Sequence, residues 1–430
     1  MNRSSETKAW LILAVGALAV AGFLALLLAV SRAPGAESWF PWGPDFFRKG
    51  LVTHVVFSFQ IWLLAMLGAL ASAVSPGGRL WRVPYGTSVA GAGLLLVPTL
   101  AGWGQASLNN YVPVLTHPTY YVGLGLFAAG VLWAALRPLS VWRNLDDIGT
   151  AVACAGLVML AALSCIGLAA IDPALGDDQQ TVNERLFWGG GHVLQFLNAI
   201  LAMLGWLVAS RRAFGPSGVP SWLVRAMFII LAAGAWSGPV LQATHAADDL
   251  ALREAFTHLF WYVLPVPPMV VMAASLWPGI KRRSFIDPVA GRALLLSVLV
   301  FGLGGVAGFF LGQGDTRTPS HYHAMIGGVN LALMALIHLW LLPHPPSRWL
   351  SAQYWLYGGG QALHAIGFYL AGTAGVARKT AGAEQGLDSL FKLAGMATVG
   401  VGGAVAVLGG VIFVVQAIRM LGRSVPGGRT

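Results

Sequence analysis

Hydrophobic segments of about twenty residues recur from one end of this chain to the other. An α-helix needs about 20 apolar residues to cross a bilayer core about 30 Å thick. The sequence is 57% hydrophobic and only 10% charged, which excludes an ordinary soluble domain. We predict an all-α integral membrane protein with a single transmembrane domain over residues 1–430. Its twelve helices are expected at about 9–31, 50–74, 86–104, 119–137, 148–171, 186–210, 222–242, 256–279, 291–313, 321–343, 353–374 and 394–418.

The distribution of charge predicts the orientation of these helices. The formal net charge is +10, but basic residues concentrate in alternate loops, such as 211–212 and 281–283. The opposite loops carry acids, for example at 177–178 and 248–249. This asymmetry is typical of membrane topology, so the basicity does not indicate nucleic-acid binding. We expect a multi-pass protein of a bacterial or archaeal inner (plasma) membrane, with both termini in the cytoplasm.

Two histidines begin the tenth segment, in Ser320-His321-Tyr322-His323. Positions two apart differ by about 200° around an α-helix, so the two imidazoles can ligate two different metal centres. Ionisable groups at membrane depth are costly and mostly functional, and imidazole binds haem iron, copper and zinc. A single histidine at a helix end is more often an interfacial or core residue, but a shared level favours one multi-haem site. Four further histidines lie at that outer level: His54, His192, His245 and His258.

These residues resemble subunit I of the haem–copper oxidase superfamily, which includes respiratory oxidases and nitric oxide reductases. The resemblance extends over nearly the whole chain, including a histidine on the second helix, one on the sixth and the His-x-His on the tenth. VTHVVFSFQIWLLAMLGAL looks like the family's second helix, and SHYHAMIGGVNLALMA looks like its tenth. The resemblance implies a catalytic subunit with the family's twelve-helix bundle. It also implies two haems, which we expect to be b-type, and one non-haem metal, either iron or copper.

The resemblance assigns a role to each matching histidine. It implies that His54 and His323 are the axial ligands of a low-spin haem. His321 would be the single ligand of a high-spin haem whose other face stays open. His192 would ligate the second metal, facing that open side.

The seventh helix departs from the family pattern. The family carries two adjacent histidines there, whereas this chain has Thr244-His245. A three-ligand metal site would then need another group besides His192 and His245. His258 is one candidate, and Asp248 or Asp249 is another that would favour iron over copper.

The substrate prediction depends on a missing tyrosine. In the family's oxidases a tyrosine near the second metal supplies the fourth electron for O2 reduction. One turn after His192 this chain has Phe196, and the seventh-helix segment ILAAGAWSGPVLQ contains no tyrosine. Reduction of two NO to N2O needs no such residue, so we favour a divergent nitric oxide reductase, with a terminal oxidase as the alternative. Gln195 lies on the same helical face as His192 and could act on an NO-derived species, or it could be a packing amide.

Two expectations concern the outer face and the electron donor. Arg378 and Lys379 match the family's basic pair that binds haem propionates, although two charged loop residues are also ordinary. The chain has no CXXCH motif for covalent haem, so electrons should come from an outer-face partner, a cytochrome c or a cupredoxin-like copper domain. A quinol donor is less favoured. An electron-transfer or haem-handling protein and a transporter are competing classes, but neither explains a third metal level or the unbroken helices.

Overall fold

The computed structural model describes residues 4–31, 45–216, 219–282 and 284–423. Within them the chain forms twelve long helices, which confirms the all-α membrane bundle. Eleven are long and apolar enough to cross a membrane, and α11 is more polar. The helices are α1 (Ser5–Ser31), α2 (Asp45–Val74), α3 (Gly78–Ala101), α4 (Pro118–Asn144), α5 (Asp147–Ala170), α6 (Gln179–Phe214), α7 (Ser221–Thr244), α8 (Leu250–Arg282), α9 (Pro288–Phe310), α10 (Arg317–Leu341), α11 (Arg348–Thr373) and α12 (Leu390–Gly422).

Short polar side chains explain where several helices begin. Asp146 caps α5 by accepting a hydrogen bond from the Gly149 amide. Asp287 accepts from two amides at the start of α9, and Ser347 accepts from the Leu350 amide at the start of α11. Each cap satisfies backbone donors that the helix itself cannot pair.

Three helices contain a π-helical turn. These turns lie at Val56–Ile61 in α2, Leu259–Val263 in α8 and Ile337–Leu341 in α10. The first two directly follow segments that end near or at His54 and His258. Such turns are frequent at functional sites, because they change the direction in which later side chains point.

The chain forms two compact units. The prediction of a single domain over residues 1–430 did not include this division. Unit 1 comprises Met1–Ala17, Val55–Leu204 and Ser217–Trp277, and unit 2 comprises Leu18–His54, Gly205–Pro216 and Pro278–Thr430. In unit 1, α3 packs on α4 and α5 packs on α7. In unit 2, α10 packs on α9 and α11, and α11 packs on α12.

Glycines permit the closest helix contact in unit 2. A Cβ atom on Gly367 of α11 would lie 2.5 Å from the Val399 nitrogen of α12, and one on Gly402 would collide with the His364 backbone. Small residues at such contacts allow two helix backbones to approach, which replaces hydrophobic burial as a source of stability in a membrane. This contact holds the more polar α11 against α12.

A short hairpin between α3 and α4 is the one pair of strands in the described residues. Strand β1 (Ala106–Ser107) pairs antiparallel with β2 (Val114–Leu115). Tyr111 lies between the two strands with φ +64°. The sequence analysis treated this whole segment as a connecting loop, and it belongs to unit 1.

Candidate functional site

His54 is held by the first helix of the chain. Its Nδ1 lies 2.9 Å from the carbonyl oxygen of Ala21 in α1. A ring nitrogen bonded to a backbone carbonyl fixes the tautomer, so that Nε2 is the nitrogen suited to a metal. The side chain is half-buried at the point where α2 changes to its π-helical turn.

The two histidines of α10 contact different helices, as their spacing predicts. His321 Nδ1 lies 2.7 Å from the Gly304 carbonyl oxygen of α9. The His323 ring instead stacks on Phe368 of α11, with centroids 5.3 Å apart and planes 24° apart. The ring of His364, also on α11, lies nearly perpendicular to the His323 ring, with centroids 4.7 Å apart.

His364 is a neighbour of His323 that the sequence analysis did not count among the site residues. Its Nδ1 lies 2.8 Å from the Val399 carbonyl oxygen of α12. The ring therefore has a fixed orientation beside His323. The sequence does offer one indication of this position, because His364 and Phe368 are four residues apart and therefore share one face of α11.

Arg378 and Lys379 lie after α11 in a tight turn. The Arg378 amide donates to the Gly314 carbonyl oxygen at 3.0 Å, and Lys379 has φ +62°. Both side chains are half-buried. Next to this turn is a cavity of about 590 Å³, which is lined by Leu311, Gln313, Gly314, Asp315, Arg317, Gly375 and Ala377.

An ion pair at this cavity fixes its charge. Arg317 donates to both carboxylate oxygens of Asp315, at 2.7 Å for the shortest bond. That hydrogen bonding and the nearby charges of Arg317 and Arg378 lower the pKa of Asp315 below its usual 3.8. Asp315 therefore neutralises Arg317, while Arg378 adds positive charge to this part of unit 2.

His192 of α6 is enclosed by aromatic side chains of unit 1. The residue is 7% exposed, and its Nδ1 lies 2.8 Å from the Trp188 carbonyl oxygen one turn earlier. Four rings surround the imidazole, with centroid distances of 4.3 Å to Trp188, 4.4 Å to Tyr111, 5.0 Å to Phe260 and 5.4 Å to Phe256. This lining shields most of the imidazole from solvent and fixes its orientation.

Tyr111 is the functional candidate that sequence reasoning missed. It comes from the hairpin loop, and its carbonyl oxygen accepts a hydrogen bond from Gln60 Nε2 at 2.6 Å. Burial and the negative charge of Glu184 raise the pKa of the Tyr111 hydroxyl above its usual range. Neither the helical period nor the spacing of the chain indicates that this loop residue reaches His192.

The structure does not bring the other proposed metal ligands into one cluster with His192. His245 is half-buried at the end of α7, where its Nδ1 bonds the Leu241 carbonyl oxygen at 3.1 Å and the Thr244 hydroxyl at 3.0 Å. His258 is exposed beside Tyr262. Among the described residues there is no group of three or more His, Cys, Asp or Glu placed to hold a metal ion.

The orientation of α8 explains the position of His258. Phe256 and Phe260 are four residues apart and both contact His192. A residue two positions from each of them must point to the other side of the helix. The carboxylate alternatives do not complete a cluster either, because Asp248 is exposed and Asp249 caps α8 through the Ala251 amide.

Gln195 is held within its own helix. Its Nε2 donates to the Gly191 carbonyl oxygen at 3.0 Å, and its Oε1 accepts from Asn198 at 3.3 Å. The amide is half-buried, one turn from His192. These bonds satisfy the packing role and leave one amide hydrogen for another contact.

Comparison with known proteins identifies the class. The family described as cytochrome c and quinol oxidase polypeptide I matches residues 6–412, so the chain belongs to this family. Membership implies a membrane oxidoreductase that uses haem and a metal centre. The fold is similar to that of a heme-copper terminal oxidase dimer solved by cryo-electron microscopy, with a TM-score of 0.78 and 16% identity over 98% of this chain and 84% of the other.

Two relatives share the sequence more closely. An uncharacterized protein of Aquifex aeolicus (strain VF5) is 28% identical over 340 residues, which cover 77% of this chain and 83% of the relative. An uncharacterized protein of Rickettsia prowazekii (strain Madrid E) is 24% identical, covering 96% of this chain and 95% of the relative. Neither name indicates a substrate.

The residues fit the haems better than they fit the second metal. His54 and His321 each direct Nδ1 to a backbone carbonyl, the arrangement that prepares an imidazole for iron. His192 has the same arrangement through Trp188. It is a single anchored ligand, however, and the three-histidine set of the sequence prediction is not assembled around it.

Proposed function

We propose that this chain is the catalytic subunit of a respiratory complex that reduces nitric oxide to nitrous oxide. In this proposal His54 and His323 hold a low-spin haem, and His321 holds a high-spin haem. The haems, when bound, supply electrons and an open iron position for the gas. Arg378 and Lys379 would neutralise haem propionates, a role supported by the positive charge that Arg378 adds beside the Asp315–Arg317 pair.

One observation carries the choice of nitric oxide. The position one turn after His192 is Phe196, which is 1% exposed and packs edge-on against Phe260 at 6.2 Å. This apolar contact supplies neither the electron nor the proton that a tyrosine would give to O2. Two NO, two electrons and two protons give N2O and water, so nitric oxide needs no extra electron from the protein.

The protein's own residues orient the site and exclude water. The aromatic lining holds His192 in one rotamer and keeps it dry, which strengthens electrostatic interactions with a bound gas. We retain Gln195 as a polar group one turn away, with one amide hydrogen not used within α6. His245 and His258 remain candidate ligands of a second metal, and elemental analysis for iron and copper tests both the number and the identity of the ions.

The proposed electron source is an outer-face partner, either a cytochrome c or a cupredoxin-like copper domain. The exposed side chain of Tyr262 lies close to His258, with ring centroids 5.9 Å apart, on a side of α8 that does not face His192. The lipid bilayer covers the apolar faces of the helices.

A second candidate function is O2 reduction to water, because one observation favours it. The Tyr111 ring lies against His192 with a centroid distance of 4.4 Å. The hairpin loop therefore places a tyrosine next to His192, whereas α6 and α7 have none at the family's positions. Tyr111 could therefore supply to O2 the electron and proton that Phe196 cannot.

Gas consumption by the purified complex with an artificial electron donor decides between the two. We expect rapid anaerobic loss of NO with formation of one N2O per two NO, and slow O2 uptake. The His321→Ala variant is the control and should lose both activities. Rapid O2 reduction to water with slow NO loss would overturn the proposal in favour of the oxidase.

A further inference from the structure

Tyr111 is a loop residue of unit 1 that lies between strands β1 and β2. Its left-handed backbone, with φ +64°, is rarely adopted by a bulky residue. Such a conformation persists only where the surrounding structure holds it, and it concentrates at functional sites. The outlier therefore calls for an explanation in terms of what the side chain contacts.

Three neighbours hold the loop in this position. Gln60 of α2 donates to the Tyr111 carbonyl oxygen at 2.6 Å. The backbone and side-chain amides of Asn110 donate to the Glu184 carboxylate of α6, at 3.0 Å and 2.9 Å. Gly191 of α6 leaves the remaining space, since a Cβ there would lie 2.5 Å from the Tyr111 Cβ.

The result of this anchoring is a phenol ring against the His192 imidazole. The planes are inclined by 57°. The Tyr111 hydroxyl makes no hydrogen bond to any residue that the structure describes, and the same holds for His192 Nε2. Two adjacent rings thus each retain a polar atom with hydrogen-bonding capacity in a largely aromatic environment.

A purely steric role does not explain the hydroxyl. Phenylalanine would fill the same space and pack against His192 equally well, as Phe256 and Phe260 do. The hydroxyl is a donor that no neighbouring side chain among the described residues uses, so it is available to a ligand bound beside His192.

We propose that the Tyr111 hydroxyl donates a hydrogen bond to the oxygen of the diatomic gas bound beside His192. This inference rests on the proposed function as a gas reductase and applies to NO and O2 alike. Reduction of either gas places negative charge on oxygen, and a preorganised donor in a dry site stabilises that charge. Tyr111 then touches the substrate and is a catalytic residue, supplied by a loop instead of a helix.

The test uses carbon monoxide as the probe on the reduced, purified complex. A hydrogen bond to its oxygen lowers the C–O stretching frequency, so infrared spectra of Tyr111→Phe should show the band at higher wavenumber. Tyr121→Phe is the matched control, because its hydroxyl bonds Asn183 and its ring does not contact His192. We expect an unchanged band in that control. NO turnover should fall about 100-fold in Tyr111→Phe, the usual effect of removing one such donor.

A second variant keeps the test valid if Tyr111→Phe does not assemble. Gly191→Ala retains the phenol but forces it away from its place, and its band should move in the same direction. An unchanged C–O band together with unchanged turnover in Tyr111→Phe would overturn the role of Tyr111. Wild-type complex that binds no carbon monoxide at all would instead overturn the proposed gas chemistry, so the two failures are distinguishable.

Discussion

Replacing Glu6 by Gln should destabilise unit 1 strongly, because it removes one partner of a buried ion pair. Arg137 of α4 donates to the Glu6 carboxylate of α1, and the two side chains are 15% and 3% exposed. The Gly77 amide donates to the same carboxylate at 2.8 Å. Removing one partner of such a pair leaves an uncompensated charge and costs about 3–5 kcal/mol.

The exposed fractions of the two side chains indicate which single variant loses more stability. Glu6→Gln leaves the better solvated Arg137 unpaired, so we expect a loss of about 3 kcal/mol, at the lower end of that range. Arg137→Met leaves a nearly inaccessible carboxylate whose remaining donor is Gly77, and a loss of about 5 kcal/mol follows. The double variant has no unpaired charge and should lose only about 1 kcal/mol.

The assay is the free energy of unfolding of the purified complex in detergent, from reversible denaturant titration, combined in a double-mutant cycle. Arg143→Met is the matched control, since Arg143 is exposed on the segment that follows, and its effect should stay within about 0.5 kcal/mol. Additive losses, with the double variant as unstable as the two single variants together, would refute the reasoning.

Three further variants have expected results. His54→Ala should abolish the optical spectrum of the low-spin haem and keep carbon monoxide binding, whereas His192→Ala should keep that spectrum; loss of the low-spin signal in His192→Ala would contradict the assignment. Asp315→Asn should lower the thermal midpoint at neutral pH, because Arg317 and Arg378 depress the pKa of Asp315 in the folded protein. A depressed pKa contributes stability above the unfolded value of about 4, which is lost as pH falls through the folded value. The midpoints of wild type and variant should therefore differ steadily from pH 7 to 5 and converge below pH 4, and a difference independent of pH would contradict this explanation.

The helices could be predicted because the bilayer imposes their length. Twelve apolar segments predict twelve helices, and eleven of those in the described residues are long and apolar enough to cross a membrane. The sequence also predicts that His321 and His323 face different neighbours, which depends only on the helical period. The hydropathy pattern does not predict where the side chains of loops lie. Tyr111 is held against His192 because Gln60 donates to its carbonyl oxygen and the neighbouring Asn110 donates to Glu184, and both Gln60 and Glu184 are distant in sequence.

The predicted metal ligands show a second limit, that of rotation about a helix axis. His258 lies at the predicted outer end of α8, but Phe256 and Phe260 occupy the face toward His192. Depth alone cannot determine which face of a helix a residue occupies. His364, in contrast, does lie on the face of α11 toward His323. Its bond to the Val399 carbonyl oxygen joins α11 to α12, and no local sequence pattern predicts such a bond.

The π-helical turn of α2 has a consequence for how this protein varies among its relatives. Gln60 lies within Val56–Ile61, and its direction depends on the wider turn. Deletion of one residue there would restore a regular α-helix and change the directions of the side chains within Val56–Ile61. Gln60 would then lose its hydrogen bond to the Tyr111 carbonyl oxygen. We therefore expect a relative whose α2 is one residue shorter to lack the tyrosine in this loop. The length of one helix and the identity of one loop residue should therefore change together during evolution.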